Sequence, residues 1–494
     1  MSLSRQSASA AVAAVVASAS RLLLVTSLAR RLTAEKFGQF AYAQWVIEIS
    51  ILIFSFGAPA AVSRYAAEFG SQAGLVSAFL RRWVRWAVCA SVAAALGSVV
   101  GAWVSGMHLE LRSYLCLFVW TATQGLWTMQ TAALTGCQRF NAITLANILF
   151  AAAVLSGLSV LPIANEQPAV LFGLMAVGAA AATCVGVGTV VRRAVEPAKA
   201  IHQSQWGSIR IYAINMWLTT LLTSLVWSRG EYPFVRVALG EEGLARYAAP
   251  MTLFAGGVQV VTLGTAGVAP YLTDLWGRHR RDSAIALARW LMNLQLLVCC
   301  LVAMALTLLE GELLGLAFGA EYRDSDHILA VLSIGLVALA VSAPNHLLQL
   351  ATDGRCTRNF IVAGVLLLFL LALVLTPTIG LPGAALARST TMLTVALGTE
   401  ILAGWHLGAR LVSTRNLAVA MVSVLGTIAF GFWRPDFDLI PRTLLLAGMV
   451  LLLVLSLRDD NGHLIIQSVA RDTDIIEHDG LVERGKIADA AVRF

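Results

Sequence analysis

Apolar stretches of roughly 20 residues, the length needed to cross the hydrocarbon layer as a helix, recur along the whole chain. Each is closed by charged residues or by a Pro/Gly break. The pattern predicts an all-α polytopic membrane protein of about 14 helices, over 8–29, 40–62, 84–104, 112–135, 141–161, 168–191, 209–228, 246–268, 290–309, 328–350, 359–376, 382–403, 417–433 and 441–457. The first run, rich in Ala and Ser, continues past Arg21 to Leu28 without a processing site and reads as a spanning helix. Its small side chains predict close packing on protein neighbours. The stretch "SLVWSRGEYPFVRVALGEEG" at 224–243 ends one such run and sets Arg229 near Glu231. On hydropathy alone Arg229 closes the seventh helix.

Composition agrees with this pattern. Of 494 residues, 58% are hydrophobic and only 13% charged, where soluble domains are about a quarter charged. Basic loop residues are unevenly shared. With the N-terminus inside, seventeen fall in cytoplasmic connections and ten on the opposite side. The positive-inside rule therefore predicts both termini in the cytoplasm. The +7 formal charge is largely this topological bias and does not point to nucleic acid. Seven cysteines without a CxxC pair predict no disulfide framework. The charged residues 458–494 form a cytoplasmic tail.

A faint internal repeat organises the helices. "LTAEKFGQFAYA" at 32–43 lies over "LGEEGLARYAAP" at 239–250 with an offset of 207, matching Leu32 to Leu239 and Phe40 to Tyr247. "TGCQRFN" at 135–141 likewise resembles "TDGRCTRNF" at 352–360. Both pairs precede equivalent helices, the second and eighth, then the fifth and eleventh. The spacing predicts six-helix bundles over 8–191 and 209–403, followed by a helix pair at 417–457. Parallel bundles of this kind enclose a cavity that opens by rocking.

Five segments then carry a family resemblance: "LARRLTAEKFGQFAYAQWVIEI" at 28–49, "GAPAAVSRYAAE" at 57–68, "LTGCQRFNAITLANIL" at 134–149, "VWSRGEYPFVRVALGEEGLARYAAP" at 226–250 and "LTPTIGLPGAALARSTT" at 375–391. Together they resemble the polysaccharide-transporter branch of the superfamily of multidrug, oligosaccharidyl-lipid and polysaccharide exporters. The resemblance implies two six-helix bundles around a central cavity. It also implies translocation of a polyprenyl-pyrophosphate-linked oligosaccharide from the cytoplasmic to the outer leaflet of a bacterial inner membrane. The implied partners are the lipid-linked oligosaccharide, membrane lipids, and polysaccharide polymerase and export machinery. No cofactor is implied; coupling to a proton or sodium ion stays open, with Glu48, Glu68 and Glu231 as the acidic candidates.

Charges inside apolar runs normally face a bundle interior or a watery cavity. Arg21, Glu48, Arg64, Arg229, Glu231 and Arg388 are the cavity and substrate-binding candidates, because the arginine fork suits phosphate oxygens. Trp45 and Trp217 are weaker candidates for stacking on sugars, and Asn215 and Asn345 for polar contacts. Gln124, Gln130, Asn147 and Gln349 are further possible donors. The alternative for Arg64 and Arg229 is snorkelling to headgroups. No GxxxxGK[ST] loop, HExxH or Cys/His cluster is present, so the chain reads as a secondary-type transporter and not as an enzyme, with no metal site. "DSD" at 324–326 is more simply a solvated loop than a cation site. A cation-coupled multidrug exporter and a polytopic glycan polymerase or ligase are the alternatives.

Overall fold

A computed structural model describes residues 3–68, 73–160, 168–195, 203–263, 280–323, 327–352 and 355–409, with isolated residues up to 429. Helix pair 417–457, tail 458–494 and the "DSD" segment lie outside the described residues, apart from a few isolated positions between 417 and 429. Nine segments are long and apolar enough to span a membrane among those described. One of them, Gln205–Thr262, is 58 residues long, more than twice the roughly 20 residues one crossing needs.

The first half comprises α1 (Leu3–Ala29), α2 (Ala34–Ser55), α3 (Ala58–Glu68), α4 (Ala73–Val104), α5 (Leu111–Gly136), α6 (Phe140–Val160) and α7 (Pro168–Val195). The second comprises α8 (Gln203–Ser224), a π turn (Leu225–Arg229), α9 (Tyr232–Leu263), α10 (Arg281–Leu308), α11 (Glu310–Phe318), α12 (Ile328–Ile334), α13 (Ser342–Ala351), α14 (Arg355–Ile379) and α15 (Leu381–Leu407). A 3-10 segment, Gly335–Val341, joins α12 to α13.

Two boundaries differ from the hydropathy reading, each for a local reason. The second run is broken at Phe56 and Gly57, both left-handed at φ 46° and 74°. A Cβ at Gly57 would collide with the carbonyl of Ala213, so the bend belongs to a close approach of α8. The break is invisible to hydropathy because apolar residues flank it on both sides.

The larger difference concerns the seventh helix. It does not end at Arg229. Helical backbone continues through the π turn to Leu239 and is interrupted only at Gly240 (φ 74°, ψ −171°), a region open essentially to glycine alone. Gly240 stands where the 207-residue offset puts Thr33, whose hydroxyl accepts from the backbone N–H of Lys36 to start α2. At the 207-residue offset the Arg30–Thr33 connection therefore lies over the Gly240 break. Arg229 lies ten residues inside its helix, about 15 Å along the axis from Leu239.

The halves meet along α2–α9, α1–α9 and α3–α8. Gly38 lets α2 rest on the carbonyl of Glu241, where a Cβ would clash. The same end is tied by arginines. Arg30 donates to the carbonyls of Leu316 and Ala317 in α11, across the halves. Arg236 bridges to Glu241 at 2.6 Å and to the carbonyl of Ser105 at 2.6 Å, with its guanidinium 4.3 Å from the ring centre of Tyr42. Arg31 donates to the carbonyl of Leu158 within the first half.

α1 packs against α6 and α9; Ala13 is buried in the core, and with Ala14 and Ala17 it also lines a cavity.

Candidate functional site: a basic cavity beside a buried ion pair

Between the halves lies a cavity of about 160 Å³ lined by α1, α2, α5 and α9, with Arg21, Gln44, Glu48, Gln124 and Arg229 among its polar residues. Arg21, Gln124 and Trp127 also line a second chamber of about 330 Å³. This chamber runs between α1, α5 and α6 toward the end opposite the arginine ties, past Thr131 and Asn147. The two cavities share Arg21, Gln124 and Trp127 on their walls. In this conformation each chamber is at or below the lower end of small-molecule pockets, about 300–1,000 Å³.

Arg21 is exposed to this space and has no hydrogen-bond or ion-pair partner among the described residues. Arg229 is held more tightly. Its Nη1 lies 4.0 Å from Glu48 Oε1, and the same oxygen accepts from Gln44 Nε2 at 3.1 Å. Gln44 and Glu48 are one helical turn apart on α2, the spacing at which side chains meet. Arg21 precedes Leu32 by eleven residues and Arg229 precedes Leu239 by ten, so two repeat-related helices bring one arginine each to nearly the same depth.

Glu231 does not orient Arg229. Residues two apart on a helix do not face each other, and Glu231 turns the other way, into the second half. There it is wholly buried with Arg388 of α15, which is also wholly buried. Arg388 Nη1 lies 3.1 and 3.0 Å from the two carboxylate oxygens. Its Nη2 donates to the carbonyl of Trp227 at 2.7 Å. Trp227 is in the π turn, whose wider hydrogen-bonding pattern leaves a carbonyl for an outside donor. Tyr247 Oη completes the site, donating to Glu231 Oε1 at 3.0 Å. The Arg388 guanidinium also faces Phe254 at 5.3 Å. Glu231 and Arg388 are thereby corrected from cavity residues to a closed internal pair.

Other candidates move too. Arg64 is half exposed, paired with Glu68 at 3.7 Å and 4.5 Å from the ring centre of Tyr212. It belongs to the α3–α8 seam. Trp217 donates to the carbonyl of Leu52 at 2.9 Å and packs on Phe56 in that seam. Trp45 packs against Tyr42. Asn345 accepts from Thr357 at 3.4 Å, and Asn215 is exposed. None of these five lines either chamber.

Sequence reading missed Gln44, Thr252, Gln259 and Tyr247. The i, i+4 relation of Gln44 to Glu48, and the hydroxyl by which Tyr247 differs from its repeat partner Phe40, were the signals available. All seven cysteines are free.

The profile of the polysaccharide biosynthesis protein family matches residues 5–276. The chain belongs to that family. No curated protein matches it. Among solved structures, this member of the polysaccharide biosynthesis family is similar to the lipid II flippase MurJ in an inward closed conformation. The TM-score is 0.63 at 11% identity, covering 92% of this chain and 99% of that one. An inward-facing multidrug resistance MATE family transporter of the MOP superfamily matches with TM-score 0.60 at 11% identity, over 79% and 94% of the two chains. A MOP superfamily transporter from Pyrococcus furiosus, described as having a binding pocket of reverse polarity, matches with TM-score 0.59 at 14% identity, over 83% and 96%. At these identities the likeness establishes the fold: a multi-pass helical membrane protein with the architecture of transporters and flippases.

Proposed function

We propose that the protein flips a polyprenyl-pyrophosphate-linked oligosaccharide from the cytoplasmic to the outer leaflet, with Arg21 and Arg229 receiving the pyrophosphate. The observation that carries this reading is the unpaired guanidinium of Arg21 in a cavity that also holds Arg229. A charge at this depth is costly, and an anion with several oxygens would match the planar donor fork. Gln124, Thr131 and Asn147 supply neutral donors and acceptors suited to sugar hydroxyls along the second chamber. The basic bias of the loops supports cytoplasmic termini, so the arginine-tied end faces outward and the second chamber runs inward. Rocking of the 8–191 unit against the 209–403 unit would then expose the site to the other leaflet. Polymerase and export machinery would take the product there. The transporter architecture supports binding and translocation instead of catalysis.

A cation-coupled drug exporter is less well supported. Its cavity should be acidic, whereas Glu48 is the one carboxylate among the described residues lining the two chambers and is engaged by Gln44 and Arg229. If an ion is coupled, Glu48 is the group in reach, since Glu231 is sealed away and Glu68 lies at the seam.

Leaflet-resolved transport of lipid-linked oligosaccharide in proteoliposomes tests the assignment. Arg21→Ala is expected to lower the rate by at least tenfold, on the order of the 1.5–3 kcal/mol of one charged hydrogen bond. Arg21→Lys should retain part of the activity and thermal stability should stay unchanged. A wild-type rate in Arg21→Ala would remove the pyrophosphate role.

A further inference from the structure

A third cavity, of about 410 Å³, is separate from these two chambers and is built of different material. It lies where α3 and α4 of the first half meet α8 of the second, and its walls are largely aromatic: Phe56, Phe79, Trp83, Trp86 and Trp206. Arg82 and Arg210 line the same cleft, and among the described residues no carboxylate does. Both arginines are exposed.

The cleft has a polar end and an apolar wall. Arg82 is held 4.6 Å from the ring centre of Trp206, which stacks on Phe79 at 5.9 Å. Such a cation–π contact fixes the guanidinium while leaving its hydrogen-bond donors available. Arg210 has no ion pair among the described residues. Trp83 is 93% buried, from a 7% exposure, and its indole N–H finds no acceptor. On the opposite wall, Phe56 and Trp86 meet edge to face at 6.2 Å, and Ile214 is more than half exposed.

Arg82 is nine residues into α4 and Arg210 seven into α8, about 10–14 Å along each axis from the helix start. Side chains at that depth reach the headgroup layer while their stems stay in hydrocarbon. The basic bias makes this the cytoplasmic leaflet, where anionic lipids concentrate.

We infer that this cleft binds one anionic phospholipid, its phosphate between Arg82 and Arg210 and an acyl chain along Phe56, Trp83 and Trp86. Ordinary annular lipid would fill an apolar cleft with no preference for headgroup. Two arginines, with no carboxylate beside them among the described lining residues, create the preference. The site spans both halves, so its occupant senses any movement of α8 against α3. The inference is independent of what the protein transports.

Native mass spectrometry of the full chain, loaded with equal phosphatidylglycerol and phosphatidylcholine, reads this directly. The wild type is expected to retain phosphatidylglycerol in preference by a factor on the order of ten. The doubly substituted Arg82→Gln/Arg210→Gln protein should lose that preference, and Arg82→Lys/Arg210→Lys should keep part of it. In the wild type, phosphatidylglycerol with dibrominated acyl chains should quench tryptophan fluorescence more than the matching phosphatidylcholine. That measurement stands even if the double variant does not fold.

Equal retention and quenching by both lipids in the wild type would overturn the site. So would a preference undiminished in a folded double glutamine variant. Displacement of bound phosphatidylglycerol by an equimolar polyprenyl diphosphate would assign the cleft to the diphosphate lipid and overturn the phospholipid.

Discussion

The two halves share a helical plan, yet at repeat-related positions they bury opposite chemistry. The 207-residue offset pairs Leu24 with Glu231 and Phe40 with Tyr247. In the first half Leu24 is 4% exposed, and Phe40 lies flat on Trp120 at 5.7 Å. In the second half the same two positions hold a carboxylate and the hydroxyl that donates to it, closed by Arg388. Apolar packing of the first kind is stable piece by piece, at about 1.5–3 kcal/mol for each large side chain buried. The second kind is conditional, because each charge is tolerated only while the other is present. At these two positions the first half packs apolar side chains, and the second holds a set of interlocked groups drawn from α9, α15 and the π turn.

Removing one partner of the pair gives the largest effect. Glu231→Ala should destabilise the protein by about 3–5 kcal/mol, since Arg388 would be left buried and uncompensated. The change is read as a lowered unfolding midpoint and reduced yield of detergent-purified protein. Glu231→Leu combined with Arg388→Met imports the apolar solution of the first half and should recover most of that loss. A double variant as unstable as Glu231→Ala would mean that the pair does more than neutralise itself.

Exchanging the aromatic residues gives an intermediate effect. Tyr247→Phe removes a hydrogen bond to a charged acceptor and should cost about 1.5–3 kcal/mol. Phe40→Tyr places a hydroxyl against Trp120 in an apolar core and should cost about 1–3 kcal/mol. If Phe40→Tyr is neutral in the same unfolding assay, the first half has an acceptor in reach and the contrast between halves weakens.

The smallest effect is expected at the surface pair. Arg64→Gln loses a half-exposed contact to Glu68 and should change stability by about 0–1 kcal/mol. A larger loss would show that the Tyr212 contact makes Arg64 a clamp on the α3–α8 seam.

The all-helical, multi-pass character was legible in the sequence because it rests on runs of about 20 apolar residues. The cavity was legible in part, through Arg21, Glu48 and Arg229, which are charges in the wrong solvent. What could not be read was which charges pair. Arg229 and Glu231 are adjacent in sequence but point apart, whereas Glu231 and Arg388 lie 157 positions apart and touch. Hydropathy took the charges at 229–236 for a membrane boundary, because only the tertiary partner tells a buried carboxylate from a solvated one. Tyr247, a residue of ordinary apolar character, gave no warning except through its mismatch with Phe40.

The π turn at Leu225–Arg229 acts as a phase shifter within the long helix. A regular α-helix rotates by about 100° per residue, so one residue more or fewer re-aims everything on one side relative to the other. On one side Ala213 and Trp217 are keyed to Gly57 and Leu52 of the first half. On the other, Glu231 is keyed to Arg388. Between these fixed points the number of residues carries angular information as well as length. A single-residue deletion that regularised the turn would shorten the helix by only about 1.5 Å. It would also swing one set of contacts a quarter-turn out of alignment with the other, so the segment can accept changes of residue identity far more readily than a change of residue count.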